Sequence, residues 1–139
     1  MRIFLDANIL LDVVTRRSPH YTKSQAVLDA CDAAGAEVFI AWHTLATAFY
    51  IMARQNGRAK ATELLNEALT VMTVATVGHI EALRAFELGI ADLEDAMQAA
   101  AAETAQADFL ITRDAAGFSG SPVPVLTPDQ FVVQIGTQP

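Results

Sequence analysis

A single cysteine, Cys31, stands among the 139 residues, so no intrachain disulfide can hold the fold. Cys31 lies in an apolar helical pattern, which makes it a packing residue before a redox or metal-binding one. Glycine and proline are few, seven and five, and the hydrophobic fraction of 53% is that of a compact chain, not a disordered one. No apolar run reaches the roughly 20 residues of a membrane-spanning helix. Asp6 and Asp12 interrupt the opening stretch MRIFLDANILLDVV, which would otherwise pass for a signal-peptide core. The expectation is a cytoplasmic protein with no membrane contact. Cations are also scarce. Nine Lys and Arg face 16 Asp and Glu, for a net charge of -7, and this excludes a broad basic surface for nucleic acid. It leaves room for carboxylates clustered around a divalent cation, whose charge reverses the sign that a phosphate meets locally. The histidines His20, His43 and His79 are scattered and form no ligand pair at a helical spacing, which speaks against zinc or copper.

The chain is the length of one ordinary domain, and one domain over residues 1–139 is expected. Arg2 to Leu5, RIFL, reads as a short buried strand, followed by a helical pattern through Ile9, Leu10, Val13 and Val14. Ser18-Pro19 breaks that helix, and Tyr21 to Ala34 forms another, stopped by Gly35. Glu37 to Ala41 is a second strand. His43 to Arg54 is apolar at a helical period and ends near Asn56-Gly57, and Arg58 to Leu69 is a charged helix. Val71 to Val77 is rich in Val and Thr, as strands are, and precedes a helix from His79 to Leu88. Asp92 opens an alanine-dominated helix, DLEDAMQAAAAETAQA. Asp108 to Thr112 is a further strand, and a turn-rich GFSGSP leads to a Val123 to Leu126 strand and a last helix from Pro128. Strands alternating with helices predict an α/β protein with a central, mostly parallel sheet of four or five strands covered on both faces.

Three acids occupy related places in that order. Asp6 and Asp114 lie just past the ends of apolar strands, and Asp95 lies in the first turn of the Ala-rich helix. In an open parallel sheet, ligands bind outside the carboxyl ends of the strands, so all three can converge there. Asn8 lies two residues from Asp6, Asp12 is near by, and Asp92 shares a helix face with Asp95 at a spacing of three. Carboxylates crowded in this way raise one another's pKa unless a cation or strong donors hold them ionised. Oxygen donors without His or Cys suit Mg²⁺ or Mn²⁺, and a hard cation of this kind is common equipment for phosphodiester hydrolysis. Taken singly, each acid also has a structural reading. Asp6 can cap the helix that follows it, and Asp92 can be an N-cap with Asp95 as the acidic partner of a capping box. Arg113, beside Asp114, is the cation expected nearest a scissile phosphate. Arg16, Arg17 and Lys23, or Arg54, Arg58 and Lys60, are further candidates to guide a phosphodiester substrate, though such groups are usually solvated surface.

The blocks FLDANILLD, TLATAFYIMAR, DLEDAMQAAAAETAQADFLITRD and GFSGSPVPVLTPDQFV, in that order, resemble the PIN-domain family, the metal-dependent nucleases that include the VapC-like toxins of bacterial toxin-antitoxin pairs. The resemblance implies a three-layer α/β/α sandwich. It makes Asp6, Asp95 and Asp114 the catalytic metal ligands, with Asn8 and Thr112 as hydrogen-bonding supports and Asp92 or Asp12 as extra acids. The family often carries a glutamate in the middle helix. Here that position is Thr47, and no acid occurs from His43 to Arg54; Glu94, a possible substitute, should project roughly 100° away from Asp95 on the helix.

The resemblance therefore implies a Mg²⁺- or Mn²⁺-dependent endoribonuclease acting on an RNA substrate, the toxin of a pair whose antitoxin covers or fills the acidic crevice, and a homodimer. Trp42, Phe49, Tyr50 and Met52 could serve as a dimer face or a groove for a partner helix, or simply as core. The alternative is a catalytically weak or inactive PIN-like module that binds RNA or protein, toward which Thr47 and the acidic composition point. A phosphatase of the haloacid dehalogenase type also begins with a strand and an Asp, but it needs a second Asp where this chain has Asn8.

Overall fold

The computed structural model describes residues 1–136. Its elements, in order, are β1 (Arg2–Leu5), α1 (Ala7–Val14), α2 (Tyr21–Ala34), β2 (Glu37–Ile40), α3 (Trp42–Asn56), α4 (Arg58–Ala68) and β3 (Thr73–Val74). Then come α5 (His79–Glu87), α6 (Leu93–Thr104), β4 (Phe109–Ile111), a 3₁₀ turn (Ala115–Phe118), β5 (Val125–Leu126) and α7 (Pro128–Gly136). The five strands pair in the order β3-β2-β1-β4-β5, and every pairing is parallel. The expected central sheet and α/β/α layering are therefore present, with the sheet parallel throughout.

Alternation along the strands divides the core in two. Ile3 and Leu5 of β1 face a layer containing Ile9, Leu10, Val27, Met52 and Phe131. Phe4 faces the opposite layer with Leu110, Phe118 and the alanines of α6. Ala99 to Ala102 are all within 2% of full burial, because only methyl side chains let this helix lie close on the sheet. Gly35 ends α2 in the left-handed conformation, at φ 66, where a side chain would be strained. Cys31 is buried in the first layer, and burial pushes its thiol up to about 11, so it behaves as packing.

Two strands are shorter than their composition suggests. The Val71–Val77 segment pairs only at Thr73–Val74, because its neighbour β2 ends at Ile40; Ala75 N–H makes the last bond, 2.9 Å to the Ile40 carbonyl. The Val123–Leu126 segment pairs only at its last two residues, since Pro124 has no N–H to donate.

The chain builds β2 and β3 on one side of β1 and β4 and β5 on the other. The layout changes direction at β1, so a crevice opens beyond the carboxyl ends of β1 and β4.

Candidate active site

Asp6 is the residue at which β1 becomes α1. Its backbone N–H bonds the Ile111 carbonyl at the end of β4 at 3.0 Å, and its own carbonyl accepts from Ile9 N–H at 2.9 Å. The expected side-chain cap is not made. The carboxylate turns instead toward the crevice, where Thr112 Oγ1–H donates to Oδ2 at 2.8 Å and Gln98 Nε2–H donates to Oδ1 at 2.9 Å. With 4% exposure, its oxygens are cut off from water, and these two donors satisfy them. The Gln98 amide also accepts from Ala7 N–H at 2.9 Å, which fixes its orientation.

Thr112 serves two acids, because its Oγ1 also accepts from Asp114 N–H at 3.0 Å. The Asp114 carboxylate accepts from Gly117 N–H at 3.2 Å across the 3₁₀ turn. A methyl group at Gly117 would stand 2.5 Å from Asp114 Oδ2, so glycine is what allows the carboxylate to sit there. Gly117→Ala should displace this flexible side chain at a cost to stability of less than about 1 kcal/mol. A thermal melt checks it; a larger loss would mean that the carboxylate cannot move aside.

Asp95 occupies the first turn of α6, and Asp92 caps that helix by accepting from Asp95 N–H at 2.9 Å. The Asp95 carboxyl is pushed up to about 6, first by burial and then by the charges of Asp6, Asp92, Asp114 and Glu94. Burial disfavours the charged form of this group, and the four carboxylates near it add to that.

A cleft of about 520 Å³ is lined by Asp6, Asn8, Thr47, Asp92, Asp95 and Asp114, among others. The structure thus brings together the three candidate acids, Asn8, Asp92 and the position of the missing glutamate. Thr47 puts a hydroxyl on the wall where a carboxylate was expected, with Ile51 one turn farther along. Glu94 lines the cleft as well, despite its angular offset from Asp95, because the cleft spans more than one face of the helix start. Among the described residues, no three His, Cys, Asp or Glu side chains form a ready-made cation cage. The acids share a cleft but are not drawn in to ligand distance.

Asp12 and Arg113 are not brought to that cleft. Asp12 is fully buried and accepts from Arg17 Nε–H at 2.9 Å, Ser24 Oγ–H at 2.8 Å and Arg113 Nε–H at 2.9 Å. It is therefore an internal anchor between α1, α2 and the loop after β4, not an extra acid of the cleft. The Arg113 guanidinium is engaged with Asp12 instead of projecting beside Asp114, since a buried carboxylate draws in the cations within reach. Gln98 escaped the sequence reading. Its one signal is a long polar side chain three residues after Asp95, within a run of inward-facing alanines.

The family model described as PIN domain matches residues 2–116. Among solved structures, VapBC2 from Rickettsia felis, bound to a fragment of its promoter DNA, superposes with a TM-score of 0.71 at 18% identity, covering 91% of this chain and 98% of that one. VapBC-1 from nontypeable Haemophilus influenzae gives 0.74 at 13% identity, covering 93% and 99%. VapC20 of Mycobacterium tuberculosis, described as a toxin that cleaves the sarcin-ricin loop, gives 0.66 at 16% identity, covering 87% and 95%. No relative is found among curated proteins by sequence. The structural likenesses carry the fold, and the family model over residues 2–116 carries the family: the chain belongs to the PIN-domain family.

Proposed function

We propose that this protein is a Mg²⁺- or Mn²⁺-dependent endoribonuclease, the toxin of a toxin-antitoxin pair. The observation that carries the reading is the meeting of Asp6, Asp95 and Asp114, delivered by three separate elements, in one cleft where burial first, and then the charges of its neighbours, raise Asp95 to about 6. The donors are all hard oxygens, which suits these cations in kind, and a cation would relieve the repulsion. VapC20, of the same fold, is described as a toxin that cleaves the sarcin-ricin loop, and the VapBC neighbours support a toxin-antitoxin role.

In this reading Asp6, Asp95 and Asp114 hold the cation, directly or through water. Thr112 and Gln98 hold and aim the Asp6 carboxylate, Asp92 fixes the turn that carries Asp95, and Gly117 N–H orients Asp114. Asn8 stands on the rim with an amide able to bond a phosphate or sugar oxygen. A bound cation supplies charge to the phosphate oxygens and a more acidic water. The protein partner is an antitoxin. An apolar groove of about 610 Å³ between α3 and α4, lined by Trp42, Phe49, Leu65 and Leu69 among others, is the surface we assign to it. Trp42 and Tyr50 are 69% and 65% exposed, whereas Met52 is fully buried and belongs to the core. Self-association as a homodimer belongs to the same proposal.

Thr47 favours a second reading, a weak or inactive member that binds RNA or protein without cutting. A mixed pool of single-stranded RNA separates the two. The nuclease reading expects cleavage that requires Mn²⁺ or Mg²⁺ and is lost in Asp6→Asn. Cation binding must displace the proton from Asp95, so apparent affinity for Mn²⁺ should fall about tenfold per pH unit below about 6 and level off above 7. Absence of metal-dependent cleavage, or equal cleavage by Asp6→Asn, would turn the choice to the binding module.

A further inference from the structure

Most cations of this acidic chain are already matched to carboxylates. Arg2 is paired with Glu37, Lys23 with Asp129, Lys60 with Glu63 and Arg84 with Glu103. Asp12 is the exception in the other direction, with two guanidinium groups on one buried carboxylate. Arg17 reaches Asp12 Oδ1 at 2.9 Å and Arg113 reaches Oδ2 at 2.9 Å. One arginine neutralises a buried Asp, so the pair leaves a net positive charge, and it is not sealed off. The Arg17 side chain is 38% exposed and that of Arg113 is 29% exposed, while Asp12 has no exposure.

The surplus charge reaches the cleft through Arg17. Its Nη2–H donates to Asn8 Oδ1 at 3.3 Å, and Asn8 lines the acidic cleft. Arg16, next in the chain, is exposed and has no ion pair among the described residues. Its backbone turns at φ 50, a left-handed conformation that non-glycine residues adopt at a cost. The chain thus places an arginine, where a glycine would turn more easily, beside the one over-neutralised carboxylate.

We infer that Arg17 and Arg16 form a phosphate subsite on the Asn8 rim of the cleft, binding the RNA backbone next to the phosphate that is cut. The inference rests on the nuclease reading above. A polyanionic strand approaching a protein of net charge -7 needs local positive charge beside the scissile position, and Arg17, which shares its carboxylate with a second arginine, meets the cleft rim through Asn8. Lys23, which sequence grouped with these two, is occupied by Asp129 at 2.7 Å and is not part of it.

The test is steady-state cleavage of a single-stranded RNA 12-mer in Mn²⁺ over 50–200 mM KCl. Arg16→Gln, at an exposed residue with no ion pair, does not threaten the fold; Arg17→Gln leaves Arg113 on Asp12. Each should raise KM about three- to tenfold with kcat within about twofold, and reduce the salt slope of log kcat/KM by about 0.7, the value for one lost single-strand phosphate contact. Arg58, the other sequence candidate, is exposed on α4 and does not line the cleft; Arg58→Gln removes equal charge there and should change neither quantity. Unchanged KM and slope in both variants, a fall in kcat alone, or an equal effect from Arg58→Gln overturns the subsite while leaving the nuclease intact. No Mn²⁺-dependent cleavage by the wild type overturns the nuclease reading, and the subsite with it.

Discussion

Asp95→Asn is expected to make the metal-free protein more stable and to abolish the proposed cleavage. The carboxyl of Asp95 is raised from 3.8 to about 6 by burial and four neighbouring carboxylates. The folded chain therefore holds this proton more tightly than the unfolded chain does. The stability gained from the neutral acid is complete below the ordinary value and is lost as pH rises through about 6. At pH 7 the wild type carries in full the cost of the part-buried charge and of its repulsion by the neighbours, and an amide removes both. Because the cleft is open to water, the gain should be about 1–2 kcal/mol, less than the unscreened shift implies, or about 3–8 °C in melting temperature. At pH 4 the two proteins should melt together. Mn²⁺ titration and cleavage should move the other way, with activity down roughly a hundredfold or more, as when one preorganised electrostatic partner is lost. A variant that melts at or below the wild-type temperature at pH 7 would show that the carboxylates do not repel across the cleft, and retained cleavage would remove Asp95 from the site.

Asp12→Ala should have the largest effect on folding. This carboxylate receives Arg17, Ser24 and Arg113 in full burial and so ties α1 to α2 and to the loop that carries Asp114. Its removal leaves two partly buried guanidinium groups with no anion between them and strips Ser24 of its acceptor. Losing one partner of a buried charge cluster costs about 3–5 kcal/mol, a large part of the roughly 5–15 kcal/mol that holds a domain of this kind together. Urea unfolding measures it directly. A loss below about 1 kcal/mol would mean that water solvates the cluster and that Asp12 anchors nothing. Asp12→Asn, which keeps a partner for Ser24 but not the charge, should fall between the two.

Both predictions concern acids that look alike in the sequence and differ in the fold. Asp95 was legible because it begins an amphipathic, alanine-rich helix after a capping residue, a local pattern set by helix geometry. Asp12 was misread because its partner Arg113 is 101 residues away, and periodicity along α1 says nothing about what packs across it. The same limit hid Gln98, whose contact with Asp6 spans 92 residues, and it made Asp6 look like a helix cap when its carboxylate is held by Thr112 and Gln98. Strand ends suffered for a related reason. Val and Thr content reports the preference for extended chain, whereas pairing at Thr73–Val74 stops where β2 runs out of partners.

Alternating apolar strands and amphipathic helices specified the layered α/β architecture, because burial periods of two and about 3.6 residues are local properties written in residue order. Strand-end positions likewise announced which acids could meet. Which carboxylate would face a crevice and which would be buried under two arginines depended on contacts a hundred residues apart in the chain. Such pairings are settled by whichever neighbour can neutralise or hydrogen-bond a charge once water has been removed, and that neighbour is known only when the chain has closed on itself.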